Sequence, residues 1–334
     1  MRSQRGVTGA SAAAKAAALI AVVAAASAIA VPVRAQTDYP VRSIRFIVPS
    51  APGPFDTVAR LLGERLQKAL GQPLVMDNVA GAAGTLGMAA IARAAPDGYT
   101  IGMALMPTTM AEALYPGIAQ RVNRDVAPIV QISWGYLVLA VHPSIPVKSV
   151  AELVSYLKAN PARINFGSGG HGAPAHILGT MFAREAGVDI VHVPFKSVAF
   201  AIQDLLAGRV HMMFGFSAGM LPHIRAGKLT GLAVAGRERL QAIPELPSMA
   251  EAGYPAIALR DWIGLVAPAR TPPAVIERLN HEMNAILKEP EVRDRLAAGN
   301  VIVAGGTPQE LARLIAEDSE RLVRVIREAG IRAD

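Results

Sequence analysis

Beyond residue 40 the chain alternates short apolar runs with amphipathic stretches of helical period, which is the pattern of βα units. The runs at residues 44–48, 74–77, 100–105, 136–141, 163–166, 190–193, 210–214, 230–234 and 263–266 predict strands. After Asp56, the residues Val58, Leu61, Leu62, Leu66, Ala69 and Leu70 share one helical face, and Gly71 ends the run. Ser149-Val150-Ala151-Glu152 has the spacing of a capping box, and Val150, Leu153, Val154 and Leu157 form the apolar face behind it. Thr271-Pro272 and Thr307-Pro308-Gln309-Glu310 predict two later helices with proline first, where a missing N–H costs nothing. The pattern predicts two α/β domains wound mostly in parallel, with no internal repeat and no low-complexity linker.

The first 35 residues read differently. Arg2, Arg5 and Lys15 make a basic leader, residues 16–31 are all small or apolar, and Val33-Arg34-Ala35 offers a small-x-small cleavage site before Gln36. An apolar run of sixteen residues is short for a membrane span. The expectation is an export signal and a soluble periplasmic product. Of 334 residues, 52% are hydrophobic and 18% charged, enough for well-buried cores and too little charge for disorder. With no cysteine there are no disulfides, thiolate metal sites or cysteine nucleophiles. Four of the 33 basic residues (Arg2, Arg5, Lys15, Arg34) fall in the leader, and the rest outnumber the 26 acids by only three. Those basic residues are scattered, so no nucleic-acid partner is expected. A mildly basic exported protein suits a small anionic ligand.

Three loops join predicted strands to predicted helices, where α/β sheets bind ligands because helix N-termini present free N–H groups and partial positive charge. The first, Pro49-Ser50-Ala51-Pro52-Gly53-Pro54-Phe55-Asp56, is a rigid turn. Asn78-Val79-Ala80-Gly81-Ala82-Ala83-Gly84-Thr85 is short of side chains and lets a ligand approach the backbone. The third is Gly167-Ser168-Gly169-Gly170-His171-Gly172-Ala173-Pro174-Ala175-His176. Each alone reads equally well as a tight turn built on glycine; together they favour a small-molecule cleft.

Two motifs point elsewhere. Gly167 to Gly172 matches G-x-G-x-x-G, with Asp189 at about the distance of a ribose-binding acid. Export, and the crowding of the loop by His171 and Pro174, count against a dinucleotide. Gly215-Phe216-Ser217-Ala218-Gly219 matches the nucleophile elbow of serine hydrolases, with Asp261 and His281 following in order. His281 lies in the helical pattern of Ile276, Leu279, Met283 and Ile286, which predicts a solvated surface residue rather than a catalytic base. His171 and His176 are five apart with no carboxylate cluster, and His192 and His211 fall in predicted strands, so no metal site is expected.

The ordered motifs resemble those of the solute receptors of tripartite tricarboxylate transporters, the Bug family, over nearly the whole chain after the leader. They run from Tyr39-Pro40-Val41-Arg42, Ile47-Val48-Pro49, Leu70-Gly71-Gln72-Pro73, Asn78 with Gly81 and Gly84, and Ala95-Pro96-Asp97-Gly98-Tyr99-Thr100. Further on come Ser168 with Gly170, Gly172 and His176, then Val193-Pro194-Phe195-Lys196 and Ala226-Gly227-Lys228-Leu229. Ala250-Glu251-Ala252-Gly253-Tyr254-Pro255 and Ala267-Pro268-Ala269-Arg270-Thr271-Pro272 complete the series.

The resemblance implies a periplasmic-binding-protein-like α/β fold: two lobes joined by crossing hinge strands, with a ligand trapped in the cleft between them. The expected division is a signal peptide at 1–35, lobe 1 at 36–138 plus 262–334, and lobe 2 at 139–261, with crossings near 136–141 and 259–266. It further implies a monomeric, non-enzymatic receptor without cofactor that captures a small organic anion, a carboxylate. Its partners are then the membrane subunits of a tripartite transporter or a sensor receptor. The candidate ligand-binding residues are Pro52, Gly53, Phe55, Asp56, Asn78, Gly81, Gly84, Thr85, Pro107 and Thr108. Ser168, Gly170, His171, Gly172, His176, Phe195, Lys196, Ser197, Phe216, Ser217 and Asp261 complete the set. In the third loop, Ser168 and the N–H groups of Gly170 and Gly172 are expected to meet a ligand carboxylate at a helix beginning near Ala173 or Pro174. The sequence departs from the family pattern at Pro54, where glycine is usual, and at His171 and Ala173, where proline and threonine are. Phe195 and Ser197 replace a common tyrosine and glycine.

Overall fold

The computed structural model describes residues 39–115, 121–298, 301–328 and 330–331. The expected signal peptide, 1–35, lies outside the described residues. The elements begin with β1 (Ile44–Val48), α1 (Pro54–Leu70), β2 (Leu74–Asn78), α2 (Thr85–Arg93) and β3 (Thr100–Leu105). A 3₁₀ turn at Met106–Met110, α3 (Ala111–Leu114) and α4 (Val122–Asp125) lead into β4 (Val126–Val141). Then come α5 (Val150–Ala159), β5 (Asn165–Ser168), α6 (Pro174–Ala186), β6 (Val191–Pro194) and α7 (Val198–Leu206). β7 (Met212–Phe216), α8 (Ser217–Arg225), β8 (Thr230–Val234) and β9 (Arg260–Pro268) follow. The last described elements are α9 (Pro273–Ile286), α10 (Pro290–Ala298), β10 (Ile302–Gly305) and α11 (Pro308–Glu328).

Local chemistry sets several boundaries. The Glu152 N–H donates to Ser149 Oγ at 3.2 Å, while the Glu152 carboxylate accepts from the Lys148 N–H at 2.8 Å. At α11 the box is fully reciprocal: the Glu310 N–H donates to Thr307 Oγ1 at 3.2 Å, and the Thr307 N–H to Glu310 Oε2 at 2.7 Å. Thr271 does not cap a helix as expected. Its hydroxyl donates to the Pro268 carbonyl at 2.8 Å, and α9 starts at Pro273, capped by Pro272.

β4 organises the sheet. Strands β1, β2 and β3 are parallel, with β1 in the middle, and β9 joins β3 antiparallel. From Val126 to Tyr136, β4 runs antiparallel to β9, with β10 on its other edge. From Leu137 to Val141 it changes neighbours and pairs antiparallel with β7 and β8, and β7 continues into the parallel strands β5 and β6. The chain returns at the end of β8: the Leu259 N–H donates to the Ala235 carbonyl, and Arg260 then opens β9 opposite Tyr136. Two passages, Tyr136 to Leu137 and Leu259 to Arg260, thus connect two α/β halves.

The expectation of mostly parallel winding is corrected, because all four ladders of β4 are antiparallel. The strand also starts at Val126 rather than residue 136. Its first half contains Pro128, Gln131, Ser133 and Trp134, which break the apolar run. Pro128 is tolerated because the register shifts beside it, where an absent N–H forfeits no ladder bond.

The core is continuous behind both halves. Trp262 of β9 is 1% exposed and donates through Nε1 to Asp318 Oδ2 at 2.7 Å. That buried bond ties α11 to the sheet, and Arg321, one turn further along α11, engages the other Asp318 oxygen at 2.9 Å. Phe182 of α6 packs edge-on against Phe214 and Tyr254, closing the second half. Among the described residues no helix is long and apolar enough to cross a membrane.

Candidate functional site

Because β1 and β2 are parallel and in register from Ile44–Leu74 to Val48–Asn78, their following loops emerge side by side. The Asn78 side-chain amide donates to the Ser50 carbonyl at 3.1 Å, stitching the first loop to the second. Pro49 closely approaches Gly84 in the second loop and Gly87 at the start of α2. A Cβ at Gly84 would stand 3.2 Å from both the Pro49 carbonyl and Thr108 Cγ2, and Gly84 also has φ +88°. Glycine is needed there twice over. Thr85 and Thr108 are buried, and their hydroxyls donate to the Ala82 and Leu105 carbonyls, leaving only lone pairs for a ligand. Pro52 and Gly81 are exposed, while Gly53, Phe55, Asn78 and Pro107 are half-buried around them.

Asp56 is 7% exposed, with Oδ2 accepting from Arg60 Nε at 2.7 Å. That bond holds its carboxyl below the usual carboxylate range; burial opposes it and the Asn78 amide assists. Asp56 Oδ1 and Ser50 Oγ are buried without a protein partner. Buried polar atoms are normally satisfied, so this corner calls for a hydrogen-bonding guest or water.

In the second half, β5 and β6 are parallel and Phe166 pairs with His192. α6 begins at Pro174 with Ala173 as its N-cap and no side-chain cap, as expected from the proline. The N–H groups beside it are committed. Gly170 donates to Ser168 Oγ at 3.1 Å and Gly172 to His176 Nδ1 at 3.0 Å. Ser168 is fully buried, and its Oγ also lies 2.7 Å from His192 Nε2. A carboxylate at this helix end must displace those bonds or use the first-turn N–H groups of Ala175 and His176, which no helical carbonyl can reach. His171 is exposed. Burial, and then the neighbouring His171, pushes the pKa of His176 down to about 4. Burial, then His176 and His171, takes His192 down to about 3.

His171, His176 and His192 form a cluster whose ligating atoms all lie within 4.8 Å of one another. Sequence spacing linked only the first two, because the third arrives through the β5–β6 register. Phe195 is half-buried, its carbonyl facing Gly170, while Lys196 is exposed and Ser197 caps α7 through a 3.5 Å bond from the Phe200 N–H. Ser217 is buried as the first residue of α8, directly after half-buried Phe216 at the end of β7. No hydrogen bond joins it to His223 or His281, and His281 is exposed on α9 as expected. Asp261, half-buried, stands opposite Gly135 just after the return passage. Two grooves border α11, and of the candidate residues only Thr108 lines either.

Two α/β halves around one shared strand, linked by two passages and carrying loops at their strand ends, define the two-lobed fold of periplasmic solute-binding proteins. Periplasmic binding protein BugD has this fold, with 30% identity and a TM-score of 0.77 over 89% of this chain and 100% of its own. The model of the tripartite tricarboxylate transporter family receptor, TctC, matches residues 58–331, and the chain belongs to that family. Protein BugT of Bordetella pertussis is 36% identical over 305 residues, 90% of this chain and 93% of its own. MatC from Rhodopseudomonas palustris, solved with bound malate, is 33% identical with a TM-score of 0.76, covering 86% of this chain and 100% of its own. Another R. palustris protein, solved with adipate, is 30% identical with a TM-score of 0.79 over 88% and 99%.

Proposed function

We propose that this protein is a periplasmic receptor that closes two lobes on a small organic carboxylate and presents it to the membrane subunits of a tripartite transporter. The supporting observation is the gathering of the β1 and β2 loops and Thr108 into one corner with buried, unpartnered Ser50 and Asp56 oxygens. Two members of the same fold carry malate and adipate. Because Asp56 is itself anionic, it suits a hydroxyl or water hydrogen rather than the ligand's charged oxygens. In this reading the lobes divide at the two passages, two residues before each of the boundaries expected at 138/139 and 261/262. A thermal-shift screen of mono-, di- and tricarboxylates tests the reading, since a ligand of the folded state stabilises it by about 2.7 kcal/mol at 100 times its Kd. No stabilisation by any carboxylate overturns it.

The two passages are the hinge. Saturation with a stabilising carboxylate is expected to reduce the radius of gyration in solution scattering, as rigid lobes rotate about Tyr136–Leu137 and Leu259–Arg260. An unchanged radius sinks the hinge while leaving binding intact.

The placement of Ser217 between a strand and a helix supports a second reading, a serine hydrolase. Its missing histidine contact speaks against this, and a fluorophosphonate probe is expected to leave the protein unlabelled. Stoichiometric labelling that vanishes in Ser217→Ala would replace the receptor reading with the hydrolase.

A further inference from the structure

The geometry points to a divalent transition-metal site formed by His171, His176 and His192 at the head of α6. We infer that it takes a borderline ion such as Zn²⁺, Ni²⁺ or Co²⁺ and leaves at least one coordination position open. Three imidazoles with neither carboxylate nor thiolate form the donor set such ions favour. The rings of His176 and His192 lie 3.9 Å apart and are nearly parallel, while His171 stands edge-on at 5.5 and 5.3 Å from them. A tetrahedral ion with bonds of about 2.0–2.1 Å draws its nitrogens to roughly 3.4 Å. The 4.8 Å envelope must therefore contract by about 1.4 Å, His171 moving in with its loop while the His176 side chain turns out of the stack.

The loop is built to let His171 move in. His171 sits between Gly170 at φ +121° and Gly172 at φ +72°, two positions where the backbone adopts conformations other residues resist. The opposite wall is fixed. His192 is anchored on a strand, stacked on Phe166 at 4.9 Å, with its Nε2 held 2.7 Å from Ser168 Oγ. That contact leaves Nδ1 of His192 for an ion, and the hydroxyl orients the ring as a supporting partner does in metal sites. His176 is set on the first turn of α6, and its Nδ1 accepts from the Gly172 N–H. Coordination through that nitrogen takes the lone pair to which the Gly172 N–H now donates, so this bond opens as the loop moves. The competing account is an aromatic stack of Phe166, His192 and His176 that needs no ion. In that account His171 is an edge-on ring against the pair, and its replacement changes no ion affinity.

The test uses untagged protein with its leader removed, stripped with chelator and titrated with Zn²⁺ and with Co²⁺ alone, no carboxylate present. Calorimetry is expected to show one ion per chain with a Kd in the micromolar range or below, and Co²⁺ is expected to develop visible absorption of a nitrogen-ligated site. His171→Ala, an exposed position, should weaken binding tenfold or more without changing the melting temperature of the metal-free protein. His192→Gln should do the same. If that variant does not fold, His171→Ala alone decides. His281→Ala should bind as the parent does. Absence of stoichiometric binding, or unchanged affinity in His171→Ala, overturns the site. Neither result bears on carboxylate capture, which the ligand screen on metal-free protein reads separately.

Discussion

Alanine at Gly87 is expected to destabilise the protein by about 1–3 kcal/mol, the usual cost of overpacking, although a helix interior ordinarily gains up to ~1 kcal/mol from this change. The reason is where the methyl would go. It would stand 2.6 Å from Pro49 Cβ, 2.7 Å from Pro49 Cα and 3.0 Å from the Val79 carbonyl, two of them backbone atoms. Neither can rotate aside, so α2 must back away from the first loop and drag the second with it. Carboxylate affinity is then expected to fall about tenfold or more, because both walls of the corner move. Gly63→Ala in α1 is the matched control. Its methyl meets only the side chains of Met76 and Leu74, principally the flexible Met76 end, so its stability should remain within about 1 kcal/mol of the parent. Denaturant melts of the two variants decide the matter, and equal stability would remove the rigid contact from the account.

Pro49 and Gly87 also show why part of the fold is readable from sequence and part is not. Strands β1, β3 and β8 lie where the apolar runs place them, because those runs are bounded by turn residues and buried throughout or nearly so. β5 and β7 begin two residues later than their runs, at Asn165 and Met212. Ile164 and Val210 are buried at the approach but lie ahead of the strands. The first half of β4 is invisible locally. Gln131, Ser133 and Trp134 are strand residues because β9 and β10 pair with them from both sides, a tertiary cause with no period of its own. β10 is only four residues ending in Gly305, and its surroundings are fixed by Asn284, which bonds Gly306 twice, not by a hydrophobic pattern.

The candidate site divides in the same way. Glycines, turn signals and motif order place the first two loops, whose geometry is set within a few residues of each strand end. The third loop is placed correctly, but its bonding is not. Spacing suggests Gly170 and Gly172 N–H groups free for a ligand, whereas Ser168 and His176 already accept from them. His192 escapes because it lies on another strand, and only the pairing of Phe166 with His192 brings it over the loop. The signal was available in principle: β5 and β6 flank one helix, so their register is short-range in the fold though distant in sequence.

Asp261→Asn is expected to stabilise the protein at pH 8 and to matter little near pH 4. Asp261 is the second residue of β9, half-buried opposite Gly135, and burial followed by the nearby Asp318 carboxylate raises its pKa to about 7. An unfolded aspartate titrates near ~3.9. Between those values the folded chain holds a proton that the unfolded chain has released, so raising pH through the window removes stability. The full shift corresponds to roughly 4 kcal/mol; screening by water at a half-buried site reduces this to on the order of 2 kcal/mol at pH 8. Asparagine keeps the shape and carries no such cost. Trp262 and Arg321 hold the two Asp318 oxygens in place, so the group that faces Asp261 is fixed. The position gives the effect a functional edge, since Asp261 follows the Leu259–Arg260 passage about which the lobes are proposed to turn. Urea melts of parent and variant at pH 4.5, 6 and 8 should show a gap opening with pH. A gap constant across that range would mean that Asp261 titrates normally, and that the return passage carries no proton-linked strain.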